Sequence, residues 1–245
     1  MECVIISYNR LEYLKRTFES LIRNQYYDNV YSICDGGSTD GSVEYIKELY
    51  SKNLIQHYAI FKNNIGADVL KSYGACYFIK GEIGFITAED IIYPPNWDKH
   101  LLDFYNMISR KEKVYGVFGY LDVIKNRGIV LPDSINGYRY KEMKWQPCGI
   151  INKNLIKEVG YFPRQYGIIG SGDHALFRRM RNRGYKSYIV SPPDLIHIGK
   201  NKAKDYPELH KIYLKEDRKN FPKAVNDVLA DKDIPLSLFK PEEVK

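Results

Sequence analysis

Apolar residues alternate along this chain between two spacings. Val4 to Ser7 is a short continuous run, as in a buried strand, and the segment after it places Leu11, Leu14, Phe18, Leu21 and Ile22 on one helical face. A strand therefore feeds a helix. Asn9 followed three residues later by Glu12 resembles a capping box and predicts that the helix starts just after the strand. Tyr31 to Cys34 reads as a second strand. It runs into the turn-rich Asp35-Gly36-Gly37-Ser38-Thr39-Asp40-Gly41 and then a helix with Val43, Ile46 and Leu49 or Tyr50 on its apolar side. The order repeats with His57 to Phe61 as strand, Gly66 to Phe78 as helix, Ile83 to Ile86 as strand, and a helix from Trp97 capped by Asn96.

Alternating strands and helices predict a mostly parallel sheet wrapped by helices. Such sheets bind ligands beyond the carboxyl ends of their strands, so the segments after Ser7, Cys34 and Ile86 are expected to line one cleft. Past residue 110 the pattern becomes mixed α+β. Tyr115 to Val123 and Gly128 to Leu131 read as strands of a hairpin turned by Lys125-Asn126-Arg127. Helices are expected over Lys153 to Val159 and His174 to Arg183, closed by Gly160 and Gly184. The organisation expected is therefore residues 1–110 as a ligand-binding half, 111–200 as a second half of the same domain, and 201–245 as a charged, helical or loosely packed tail.

Composition narrows the class of protein. With 245 residues, 44% hydrophobic and 27% charged, the chain has the makeup of a globular protein. No apolar run approaches the roughly 18 residues of a membrane span, and Met1 to Ile6 lack the basic region and apolar core of a signal peptide, which points to the cytoplasm. Cys3, Cys34, Cys76 and Cys148 are too scattered for a zinc knuckle or redox pair and read as free thiols. The net charge of +7 suits nucleic acid, an anionic membrane surface or a phosphorylated small substrate alike.

Three clusters could carry chemistry. Asp35 ends a strand on the ligand side and is suited to accept hydrogen bonds from a base or ribose, whereas Ser38, Thr39 and Asp40 read as turn and cap residues. Thr87-Ala88-Glu89-Asp90 sets two adjacent carboxylates at the same cleft, either as capping acids before Pro94-Pro95 or as a site for a hard divalent ion. Gly170-Ser171-Gly172-Asp173-His174 precedes a helix with Leu176, Phe177 and Met180 facing inward and a run of arginines. Asp173 there is an N-cap or a carboxylate able to take a proton from an attacking hydroxyl.

Taken in order, Val4-Ile5-Ile6-Ser7-Tyr8-Asn9-Arg10, Asp35 through Gly41, Asn64-Ile65-Gly66, Gly81 through Asp90 and Val159-Gly160-Tyr161-Phe162-Pro163 resemble the family 2 glycosyltransferases. Asp173, Leu176, Arg179, Gly184 and Tyr185 continue the pattern, so the likeness spans about residues 1 to 200. It implies a GT-A fold, with a Rossmann-like nucleotide-binding half and an acceptor-binding half around one continuous sheet. It also implies transfer of a sugar from a nucleoside diphosphate, UDP by analogy, to a glycan or lipid-linked saccharide, with inversion and with no nucleic-acid partner. A peripheral contact with a membrane would suit such acceptors.

Carried over residue by residue, the resemblance makes Ser7, Tyr8, Asn9 and Asp35 donor-binding residues around base and ribose, with Arg10 and Lys71 nearer the diphosphate. Glu89 becomes a ribose or outer contact, Asp90 a ligand for Mn2+ or Mg2+, and Asp173 the general base. His197 falls where relatives place a histidine near metal or phosphate, although a histidine after an apolar pair is also a common structural residue. Three positions depart from the family pattern: Thr87 replaces the first aspartate of Asp-x-Asp, Gly172 replaces the glutamate before the catalytic aspartate, and Gly36 replaces a second aspartate. The rival classes are a nucleotidyltransferase, whose glycine-rich activating loop is missing from the sequence, and a non-catalytic sugar-nucleotide or glycan-binding module.

Overall fold

The computed structural model of the chain describes residues 1–126, 128–143, 148–159, 176, 179–199 and 240–245. The elements run β1 (Glu2–Ser7), α1 (Leu11–Arg23), β2 (Val30–Asp35), α2 (Ser42–Ser51), β3 (His57–Ile60), α3 (Ala67–Tyr77), β4 (Ile83–Ala88), β5 (Ile91–Ile92) and α4 (Trp97–Ile108). There follow β6 (Val114–Leu121), α5 (Asp122–Lys125), β7 (Asp133–Ile135), β8 (Tyr138–Met143), β9 (Gly149–Asn152), α6 (Lys153–Val159), β10 (Lys186–His197) and β11 (Glu243–Val244). Among the described residues these strands form one sheet in the order β11-β3-β2-β1-β4-β9-β6-β10-β8-β7, with β5 paired to β10.

The direction of the strands matters most for the site. β1 is parallel to β2 and β4, and β2 to β3. β9 lies antiparallel between β4 and β6, and β6 is parallel to β10. Two antiparallel pairings in succession restore the original direction, so β1, β2, β3, β4, β6 and β10 all end on one edge of the sheet.

Both faces of β1 are covered, which is why its sequence is continuously apolar. Cys3 and Ile5 pack with Leu14, Phe18 and Leu21 of α1, while Val4 and Ile6 pack with Leu70 and Tyr73 of α3. Leu176 and Met180, an i, i+4 pair in helical backbone, join the second face. An aromatic group of Phe85, Tyr93 and Trp97 anchors α4 below β4, where the Trp97 indole N–H donates to the Leu21 carbonyl at 3.2 Å. Cys3, Cys34 and Cys148 are buried free thiols and Cys76 is half-buried. Among the described residues no helix is long and apolar enough to cross a membrane.

Several local expectations are overturned. Asn9 does not cap α1 through a capping box: it sits at φ 49, and no side chain at the cap position bonds the helix. The first-turn amide of Leu11 instead donates to Asp40 Oδ2, 29 residues away, at 2.8 Å. A cap from the β2–α2 turn therefore replaces the local one, and it ties the two turns together. Asn96 likewise precedes α4 without a side-chain cap.

The hairpin expected over 115–131 does not form. β6 pairs with β9 and β10, continues into the short helix α5, and residues 128–131 are not strand. Buried pairing in the middle of a sheet outweighed a local turn signal. The hairpin lies further on, between β7 and β8, at Asn136-Gly137 with φ 48 and 85. Asn-Gly is the strongest short hairpin signal a sequence offers.

β10 was not anticipated because Pro192 and Pro193 interrupt it. The structure accommodates them at a register shift between Val190 and Asp194. Gly160 and the start of the helix through Leu176 lie outside the described residues, whereas Gly184 follows that helix at φ 80 as expected. Arg179, one of the run of arginines, is buried. The end of the expected tail returns to the sheet: β11 pairs antiparallel with β3, and Glu243 binds the Tyr58 hydroxyl and Lys47.

Candidate active site

The parallel strands deliver the sequence-nominated residues to their shared carboxyl edge. Ser7 ends β1 and Asp35 ends β2, Glu89 and Asp90 follow β4, and His197 ends β10. The segment after β1 is bound to the turn after β2. Gly36 N–H donates to the Ser7 carbonyl at 2.9 Å, Asn9 N–H to Ser38 Oγ at 2.8 Å, and Thr39 N–H to Asn9 Oδ1 at 2.7 Å. Asn9 thus ties the two turns together rather than capping a helix.

Asp35 is fully buried and anchors its own turn. Its Oδ1 accepts the amides of Gly37 and Ser38 at 2.9 and 2.7 Å, and its Oδ2 accepts the Ser38 hydroxyl at 2.7 Å. Burial pushes its pKa up, against the pull of those bonds and of the nearby Ser7 hydroxyl. Tyr8 leans on the same turn, its Cδ2 only 3.2 Å from where a β-carbon on residue 36 would sit, so glycine at 36 gives this ring its seat.

A prediction separates the two roles of Asp35. In Asp35→Asn the amide oxygen still accepts from Gly37 and Ser38, but the desolvated charge is gone. The folded pKa of Asp35 is raised, so ionisation costs stability as pH rises through that value. The variant is therefore expected to melt at or above the wild-type temperature at neutral pH, with the difference shrinking in acid. Nucleotide affinity, measured by calorimetry, is expected to fall about 10- to 100-fold, the worth of one charge-assisted hydrogen bond. Unchanged affinity would leave Asp35 a purely structural residue.

The acidic pair is held from behind. Thr17 of α1 donates its hydroxyl to the Glu89 carbonyl at 2.6 Å and accepts Ile91 N–H at 3.2 Å. Thr87, at the position of the missing aspartate, is fully buried and shares a 2.6 Å hydrogen bond with the Tyr93 hydroxyl. Its side chain belongs to the core rather than to the cleft, so a carboxylate at this position would be buried there instead of joining Asp90.

His197 reaches Asp90 through β10. It pairs with Ile91 across β5, Ile198 N–H donates to the Asp90 carbonyl at 2.8 Å, and His197 N–H donates to Asp122 Oδ1 at 2.9 Å. His197 Nε2 lies 3.4 Å from Asp90 Oδ2, and Arg10 Nη1 lies 2.6 Å from that same oxygen. Lys71 is buried in α3, with Asp68 at 3.7 Å. Lys71 and Asp90 also act in opposite directions on the Cys148 thiol, which burial pushes up to about 11. Asp173 lies outside the described residues.

The donor set of Asp90 and His197 suits Mn2+ or Mg2+ only as a partial shell. Among the described residues no group of three or more His, Cys, Asp or Glu is arranged around one point. A carboxylate oxygen and an imidazole nitrogen 3.4 Å apart are, however, spaced as neighbouring ligands of one ion with bonds of roughly 2.1 Å. The phosphates of a donor would complete the shell, as is usual for such ions. His197 Nδ1 is buried without a hydrogen-bond partner, so the ring is oriented by its backbone bonds to β5 and Asp122.

Thr17, Asp40, Asp122 and Gly199 contribute to this site and were not nominated from sequence. Thr17 and Asp122 act from 72 and 75 residues away, and no local pattern marks them. Gly199 alone carried a signal, as a glycine two residues past His197.

A mixed sheet whose parallel strands converge on an acidic pair, a histidine and two buried cations defines a GT-A type α/β protein. Solved GT-A structures share this architecture. The mannosyltransferase PcManGT of Pyrobaculum calidifontis, in complex with GDP-Man and Mn2+, matches with a TM-score of 0.62 over 97% of this chain and 77% of its own, at 14% identity. GalNAc-T7, solved with UDP, GalNAc and Mn2+, matches with a TM-score of 0.64 over 90% of this chain and 50% of its own, also at 14% identity.

An uncharacterized glycosyltransferase of Nostoc sp. (strain PCC 7120) is 28% identical over 121 residues, which cover 49% of this chain and 36% of that relative. The model of glycosyl transferase family 2 matches residues 2–145, and the chain belongs to that family.

Proposed function

We propose that this chain transfers a sugar from a nucleoside diphosphate, with UDP expected, to a hydroxyl of a glycan or lipid-linked saccharide. The observation that carries the reading is the meeting of Arg10, Asp90 and His197 within 3.4 Å at the carboxyl edge of the sheet, beside the turn anchored by Asp35. This arrangement offers a diphosphate two kinds of positive partner: Arg10 and Lys71 from the protein, and a divalent ion that Asp90 and His197 would hold. When bound, such an ion stabilises charge on the leaving diphosphate.

The protein's own groups account for the remaining steps. Tyr8, Asp35 and Glu89 orient base and ribose, and Arg10 and Lys71 offset charge on the departing group. Asp173 accepts the proton of the attacking hydroxyl. One direct displacement inverts the anomeric carbon, so an α-linked donor yields a β-linked product. The net charge of +7 is compatible with a diphosphate donor and with an acceptor carried on an anionic membrane face.

The test is calorimetric titration with a panel of nucleoside diphosphates and nucleotide sugars, with and without Mn2+, followed by detection of nucleotide release in the presence of saccharide acceptors. One nucleotide is expected to bind, more tightly with the ion, and its sugar form to turn over. Binding without turnover on any acceptor would favour the non-catalytic module, and no binding at all would end the donor-site reading.

A further inference from the structure

The acidic loop has a cation already in place. Arg10 Nη1 stands 2.6 Å from Asp90 Oδ2, with both side chains largely buried, at 6% and 11% exposed. The third side of that oxygen is closed by backbone: a β-carbon on Gly199 would fall 2.3 Å from Asp90 Oδ2 and 2.7 Å from Arg10 Nη1. Glycine is thus required where β10 leaves the sheet because the ion pair occupies the space a side chain would need. His197 Nε2 stands 3.4 Å from the same oxygen.

An ion bonded to both Oδ2 and Nε2 would sit roughly 2.1 Å from the oxygen, on the same atom that Arg10 Nη1 holds at 2.6 Å. Two cations desolvated on one carboxylate oxygen repel each other strongly in a buried setting. We therefore infer that Arg10 is the resident counter-ion of Asp90, and that divalent metal and Arg10 occupy Asp90 Oδ2 in alternation. Arg10 would turn its guanidinium to the donor's diphosphate, leaving Asp90 and His197 free to hold the ion. Arg10 keeps a second partner during the exchange, since its guanidinium carbon lies 5.3 Å from the centre of the Tyr13 ring, one turn along α1.

This inference rests on the donor-site reading for where Arg10 goes, but not for the exclusion itself. Its consequence is ordered loading, in which Mn2+ binds weakly until nucleotide draws Arg10 away.

The experiment is Mn2+ titration of the purified chain by electron paramagnetic resonance without nucleotide, comparing wild type with Arg10→Met, Arg10→Gln and Arg10→Lys. The two uncharged variants are expected to bind Mn2+ at least about tenfold more tightly than wild type, because Asp90 is freed, and Arg10→Lys to remain close to wild type. The gain is expected to vanish in Arg10→Gln with Asp90→Asn. Either uncharged variant suffices should the other not fold. Equal Mn2+ affinity in wild type and uncharged variants would overturn the exclusion. Adding the nucleoside diphosphate that binds wild type is expected to tighten Mn2+ binding in every form through its phosphate oxygens, and by a larger factor in wild type, where it also draws Arg10 away; an equal factor in wild type and the uncharged variants would overturn the exchange. If no nucleotide binds while the nucleotide-free gain persists, the donor reading fails and the exclusion stands.

Discussion

Asp173→Asn is expected to lower sugar transfer by about 10²- to 10⁴-fold while leaving donor affinity within about twofold of wild type. The carboxylate is proposed to take the acceptor's proton as the new bond forms, and an amide cannot accept it. The donor contacts proposed above come from the turns after β1, β2 and β4, far along the chain from residue 173, so binding should survive. Asp173 precedes Leu176 by three residues, and Leu176 and Met180 are buried against β1 and α3 in the face behind the nucleotide half. An isosteric change leaves those anchors untouched. Initial rates of nucleotide release at saturating acceptor, with donor Kd from calorimetry, decide the matter; near-full activity would remove Asp173 from the mechanism.

Gly37→Ala is expected to be the most damaging single methyl in the donor half. Gly37 adopts φ +84, and an added β-carbon would lie 2.6 Å from the Phe61 carbonyl oxygen and 3.0 Å from the Lys62 backbone. Left-handed backbone costs a non-glycine residue roughly 1–2 kcal/mol, and a methyl forced into packed backbone costs about 1–3 kcal/mol. Together these amount to about 3 kcal/mol, or a fall in Tm of about 6–12 °C for a domain of this size.

The same substitution would dislodge the Gly37 amide from Asp35 Oδ1, now 2.9 Å away, and so loosen the turn proposed to position the base. Nucleotide binding should therefore weaken along with stability. Gly128→Ala is the control. That glycine has φ +72 with nothing within 4 Å of its would-be β-carbon, so it measures backbone strain alone and should cost about 1 kcal/mol. Equal losses in the two variants, read from thermal melts, would show that the contact with Phe61 carries no weight.

Much of the first half could be read from the sequence, because its signals are local and agree with one another. Continuous apolar runs marked β1, β2 and β4, helical spacing marked α1, α2 and α4, and alternation implied parallel strands whose ends carry Ser7, Asp35 and the Glu89-Asp90 pair. The second half resisted because its order is set by pairings between distant residues. β9 is inserted between β4 and β6, β10 absorbs two prolines within a strand, and β11 returns from the far end of the chain to cover β3.

The sequence by itself determined which side chains stand at the ends of the strands, since alternation, turn chemistry and residue type act over only a few positions. The tertiary structure decided what those side chains do to one another. It gave α1 its cap from Asp40 instead of Asn9, turned Thr87 inward onto Tyr93, and set Arg10, Asp90 and His197 around one oxygen beside Gly199. Hydrogen bonds and ion pairs depend on distances of a few ångströms between residues far apart in the chain, as with His197 and Asp90 at the site, and it is the pairing of distant strands in one sheet that brings those residues within reach.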